Sequence, residues 1–174
     1  MRKNEGYSLI ILMMVIAVMS IGLMLAVPVW QTQIQRGKEE ELIFRGKQYV
    51  EAIRLYQMKH PGTFPKAFED LFKERCLRQL YKDPMTEDGE WNVILHAEGV
   101  SQQKGGSPQK IMIAPQKVLT SIKNPLIIGV VSSSTKKSIR IYYDNDSYDK
   151  WLFYYGQDPA KMPEIIFFGQ SEKD

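Results

Sequence analysis

Three patterns of polar and apolar residues follow one another along the chain. From Leu9 to Trp30, 22 residues are almost wholly apolar, and no charge occurs between Tyr7 and Gln35. At about 1.5 Å per residue, a helix of that length matches a hydrocarbon core of about 30 Å. Next, Leu42, Gly46, Tyr49, Ile53 and Tyr56 recur at spacings of 4, 3, 4 and 3, the stripe of an amphipathic helix. Pro61-Gly62 stops it. The spacing predicts one helix that continues from the apolar run into the stripe. The third pattern is shorter and mixed. Ala67 to Glu74 reads as a short helix with Phe68, Leu71 and Phe72 inward, and Asp88-Gly89 turns the chain into a strand over Trp91 to Leu95. Leu126 to Val131 is a buried strand, Ser138 to Tyr143 alternates, and Trp151 to Tyr155 is aromatic-rich. Ile165 to Phe168 is an added edge. Ser132 to Thr135 with Lys136-Lys137 reads as a hairpin turn, and Glu98 to Lys110 as a loop. The class is α+β: a long N-terminal helix packed on a small antiparallel sheet of three or four strands.

Composition changes this picture in a few places. The chain has 174 residues, with 23 Lys and Arg against 20 Asp and Glu, a net charge of +3. All but Arg2, Lys3 and Glu5 of these charges follow position 35. That division excludes a simple cytosolic protein and a disordered tail. A charge so mild and spread out gives no footing for nucleic acid, and Lys104 and Lys136-Lys137 read as solvated loop charges. Cys76 is the only cysteine, so an intramolecular disulfide and a cysteine metal site are excluded. A cleaved secretory signal would have a shorter apolar run and a small-residue cleavage site, for which Ala26-Val27-Pro28 is poor. A retained membrane helix fits better. Its orientation stays open, because Arg2 and Lys3 flank one end while Arg36 and Lys38 flank the other.

Met1-Arg2-Lys3-Asn4-Glu5-Gly6-Tyr7, followed by Ser8-Leu9-Ile10, resembles the amino terminus of type IV prepilins and type II secretion pseudopilins. The resemblance implies a pilin-like fold and a basic leader, residues 1–6, that a prepilin peptidase removes after Gly6. Tyr7 would then be the N-methylated terminus, Ser8 and Leu9 the next residues of the pattern, and Pro28 the proline usual at the twenty-second place of the cleaved chain (28 − 6 = 22). Residues 7–35 become the transmembrane and assembly helix, and 36–174 a periplasmic domain. Gly62, Phe64 and Pro65, with Lys82, Asp83 and Pro84, are similar to the loops of the major pseudopilin. One position departs. The family has glutamate at the fifth place of the cleaved chain, and here Ile11 stands there (5 + 6 = 11). A carboxylate costs about 2.5–3.5 kcal/mol at the bilayer centre on insertion scales. In the family that cost is offset by pairing with a neighbouring subunit's amino terminus; Ile11 removes both. Its absence resembles the minor pseudopilin at a filament tip, and a lineage that packs without the glutamate explains it equally.

Candidate chemistry is sparse. Asp144, Asp146 and Asp149 lie within six residues, and oxygen-rich loops suit calcium. The resemblance also implies calcium near the last strands. Glycine is missing at the sixth place of this run, where Asp149 stands, and glutamate at the twelfth, where Tyr155 stands. Turn-forming Asx residues explain the cluster equally well, so both readings stand. No other cofactor is expected. His60 and His96 have no nucleophile at motif spacing, and Glu69-Asp70 read as exposed helix charge. Cys76, among Arg75 and Arg78, is either a thiol of lowered pKa or a part-buried free cysteine.

These residues lead to a non-enzymatic expectation. The chain is a subunit of a type II secretion pseudopilus or a related pilus-like filament, anchored in a bacterial inner membrane by one pass. Its expected partners are prepilin peptidase, other pseudopilin subunits and the inner-membrane assembly platform. The alternatives are a single-pass anchored periplasmic binding module that never assembles, and a membrane-tethered hydrolase with a dispersed site.

Overall fold

The computed structural model describes residues 5–96, 110–157 and 163–169. Helix α1 runs Glu5–Lys59, as the apolar run and the stripe predict. The chain divides into two compact units, residues 1–37 and 38–174.

In the first unit, every side chain from Tyr7 to Met24 is exposed. α1 is the one helix among the described residues that is long and apolar enough to cross a membrane. The hydroxyl of Ser20 donates to the Ile16 carbonyl at 2.8 Å, so this polar group is satisfied within the helix and needs no water.

The second unit holds the core. Leu42, Tyr49, Ala52 and Ile53 on the stripe of α1 are fully buried, while Glu40, Glu41, Lys47, Glu51 and Arg54 stay outside. Each large aliphatic side chain so buried contributes about 1.5–3 kcal/mol. The stripe packs with Trp91, Val93 and Leu95 of strand β1 (Trp91–His96) and with Val130 of β3 (Ile127–Ser132). Ile94 of β1, with Ile128 and Val131 of β3, belongs to a second cluster with Ile111, Ile113 and Leu152. Gly46 is the point of closest approach. A Cβ there would lie 2.4 Å from the ring of Phe153, so only glycine lets that ring reach the helix backbone.

The main sheet has five strands in the order β6-β3-β1-β2-β7, with β2 at Lys110–Pro115, β6 at Phe153–Tyr154 and β7 at Glu164–Phe167. All its pairs are antiparallel except β2 with β7, which is parallel. A separate two-stranded sheet pairs β4 (Lys137–Tyr142) with β5 (Asn145–Ser147). The α+β class therefore holds, with three differences in detail. The main sheet gains β2, an interior strand not expected from the sequence, while β7 is the edge expected near Ile165 to Phe168. Ser132 to Lys137 is no hairpin turn: β3 is already bonded by β1 on one side and β6 on the other, so β4 has no free edge to join and pairs with β5 instead. Short helix α2 (Phe68–Lys73) buries Phe68 and Leu71 but leaves Phe72 exposed. The expected loop from Glu98 lies outside the described residues up to Gln109, and Lys110 already belongs to β2.

Candidate functional site

The residues singled out for processing and assembly lie on the first unit. Gly6 lies within α1, and Tyr7, Ser8, Leu9 and Ile11 follow with exposed side chains. Pro28 also falls inside α1.

The three aspartates occupy three separate settings. Tyr143 and Asp144 are the two central residues of the β4–β5 hairpin, both with positive φ (46° and 59°). Type I′ turns require this geometry. Asp146 on β5 lies 3.5 Å from the Lys137 ammonium, an exposed pair worth little. Asp149 sits in a 3-10 turn, where its Oδ1 is buried with no hydrogen-bond partner. Among the described residues, no three His, Cys, Asp or Glu side chains gather in a way that would hold a metal ion. The turn geometry accounts for Asp144 directly.

Other candidates resolve into structure. Asp70 accepts the Lys66 and Ala67 backbone N–H groups at 3.2 and 3.1 Å and so caps α2, a use more specific than exposed helix charge. His60 lies 3.5 Å from Glu74 and stacks near Tyr56, with centroids 4.9 Å apart. His96 ends β1 beside the Phe64 ring. Cys76 is buried, and that burial pushes its thiol up rather than down, so it is the part-buried cysteine and not an activated nucleophile.

Two buried carboxylates carry the most organised polar geometry. Glu39 is 0% exposed, although Glu40 and Glu41 beside it face solvent. Its Oε1 accepts from the Ile139 N–H at 2.7 Å and from the Tyr148 hydroxyl at 2.7 Å, and its Oε2 from the Arg140 N–H at 3.2 Å. The Arg140 guanidinium then binds Glu40 at 2.5 Å. Two-stranded sheets are marginal alone, and this carboxylate fastens β4 to α1.

Asp83 is the second, at 2% exposed. Its Oδ2 accepts from the Ser132 hydroxyl at 2.7 Å, and its Oδ1 from the Met85 N–H at 2.8 Å. Burial pushes its carboxyl above the usual range, against the opposing pull of these hydrogen bonds. Its neighbours are equally tied. The Tyr81 carbonyl accepts from both the Tyr49 hydroxyl and the Trp91 indole at 2.9 Å, and Arg45 donates to the Lys82 carbonyl. The Lys82-Asp83-Pro84 turn thus joins α1, β1 and the end of β3. The other loop singled out, Gly62 to Pro65, is fixed by the Ile127 N–H on the Pro65 carbonyl at 3.0 Å and by Gln57 on the Thr63 carbonyl at 2.7 Å.

Sequence reasoning missed Glu39, since a run of three glutamates gives no sign of which one faces inward. The stripe does contain that signal: Glu39 stands three residues before Leu42 and is therefore in phase with the buried face. Comparison with protein families, curated proteins and solved structures gave no match.

Proposed function

We propose that this chain is a structural subunit of a type II secretion pseudopilus or a related type IV pilus-like filament. The observation that carries the reading is the junction Gly6/Tyr7-Ser8-Leu9 at the head of an uncharged apolar helix whose side chains are all exposed from Tyr7 to Met24. An uncovered apolar surface of that length needs either lipid or other helices. The layout of the second unit, an amphipathic helix on a small mixed sheet, is compatible with a pilin-like one.

In this reading a prepilin peptidase cuts after Gly6 and the new terminus, Tyr7, is methylated. The helix holds the chain in an inner membrane and then moves from lipid to helix–helix contacts as subunits join. The second unit lies in the periplasm and meets neighbouring subunits or exported cargo. Ile11 lets the helix do this without the carboxylate that related filaments pair between subunits.

Mass spectrometry of the mature chain from cells that carry a prepilin peptidase tests the proposal. A terminus at methylated Tyr7 is the expected result. Retained Met1, or cleavage near Pro28, overturns it.

A further inference from the structure

An open groove of about 500 Å³ lies on the second unit between α1 and the β4–β5 turn. Lys47, Gln48 and Glu51 line it from the helix, and Tyr143 and Gln157 line it from the other side. Its size falls in the range of about 300–1,000 Å³ that small-molecule sites occupy. Lys47 and Gln48 stand four and three residues before Glu51, so each is its neighbour one turn away. Glu51 is held in place by Arg54, with contacts of 2.7 and 2.8 Å.

Tyr143 is the unexpected member. Type I′ turns favour Asn, Asp and Gly, because both central residues take positive φ, and a bulky side chain there is an outlier. This chain nevertheless holds a tyrosine at φ 46°. Its ring stands edge-on to Tyr142, with centroids 4.5 Å apart at 73°, and remains 42% exposed. Backbone strain at such a position persists only where the surroundings enforce it, and it concentrates at functional sites. Here the strained residue is one that borders the groove.

We propose that this groove binds a neutral saccharide. A pyranose has one apolar C–H face and a rim of hydroxyls that both donate and accept. The groove offers a matching set: an exposed aromatic ring, two amides that donate and accept, an ammonium donor and a carboxylate acceptor. A nucleotide or other polyanion would need several cations, and among the described residues Lys47 is the only one that lines the groove. Val50, Tyr142, Phe153 and Tyr154 also line the groove, but Phe153 and Tyr154 are buried, and the exposed side chains are those of Lys47, Glu51 and Tyr143, so an extended apolar peptide would meet charge along the helix side.

Calorimetric titration of the full chain, in micelles of a zwitterionic detergent without a sugar headgroup, tests this. The probes are chitotetraose, cellotetraose and maltotetraose. At least one is expected to bind with a Kd between about 10 μM and 1 mM. Tyr143→Asn removes the ring and suits the turn, so it is expected to weaken binding about tenfold or more while the melting curve stays in place. Gln48→Ala is expected to weaken binding as well, whereas Ile141→Ala, on the same hairpin but outside the groove, leaves it unchanged. The proposal is overturned if no probe binds up to about 10 mM, or if Tyr143→Asn binds as the parent does. Binding of an extended apolar peptide in place of every saccharide would overturn it too.

Discussion

The Tyr148 hydroxyl donates to Glu39 Oε1 at 2.7 Å, joining two buried residues that are 109 positions apart. Two backbone N–H groups of β4 share the same carboxylate. Glu39→Ala would take this acceptor from the buried Tyr148 hydroxyl and from two part-buried N–H groups of β4, a loss of about 1–3 kcal/mol. Glu39→Gln keeps one acceptor oxygen and is expected to lose less. Chemical denaturation gives the magnitudes, and amide exchange at Ile139 and Arg140 should rise most in the alanine variant.

Asp83 makes the second unit sensitive to pH. Its folded pKa lies above the ordinary carboxylate value because burial disfavours the charge. The native state therefore takes up this proton at a higher pH than the unfolded chain does. The stability so gained is complete below the ordinary carboxylate value and is lost as pH rises through the raised one. Asp83→Asn should flatten that part of the curve, while it keeps an acceptor for Met85 and a donor toward Ser132. Denaturation midpoints measured across that interval check the slope; an unchanged slope in the variant would contradict the assignment.

Gly46→Ala should destabilise, although alanine is the better helix former. The propensity gain is about 1 kcal/mol, but the new methyl would meet the buried Phe153 ring, and overpacking of this kind costs about 1–3 kcal/mol. The expected net loss is about 1 kcal/mol, within a span of about 0–2. Gly46→Ala combined with Phe153→Leu should recover part of it, which a thermal melt of the double variant would show.

Ile11→Glu tests the membrane segment. If the helix spans a membrane as proposed, Ile11 lies near the end of the apolar run, so the carboxylate costs less than the about 2.5–3.5 kcal/mol of the bilayer centre, and the membrane fraction should fall only slightly. Cross-linking within filaments would also locate the parent chain. Many axial positions would remove the tip assignment.

The helix was readable because a residue every three or four positions along the stripe repeats a single physical instruction, burial on one side. Strands β1 and β3 were readable for a related reason: Val93, Ile94 and Leu95, and Ile127 to Val131, are apolar enough to mark burial without a partner in view. β2 was not. Lys110 to Pro115 opens on a lysine and ends in proline, and it becomes a strand through its pairing, with Ile113 opposite Ile94 on β1 and Phe167 on β7. The β4–β5 pairing was hidden for a different reason, since it depends on β6 occupying the edge of β3 that β4 would otherwise take. At the candidate site the Gly6/Tyr7 junction is a local pattern and could be read. The Glu39 and Asp83 networks join residues dozens to more than a hundred positions apart, and only the folded chain brings them together.

The distance in sequence across the Glu39 network also sets an order in time. At about 5–20 residues per second, synthesis of the 100 residues between Glu39 and Ile139 takes roughly 5–20 s. Throughout that interval the turn of α1 that follows the apolar segment carries three adjacent, hydrated glutamates, which would keep it out of lipid if, as proposed, that segment enters a membrane. Burial of Glu39 becomes available only once the last third of the chain has arrived. The same carboxylate thus acts first as a solubility marker for the young helix and later as the closing bond of the finished one.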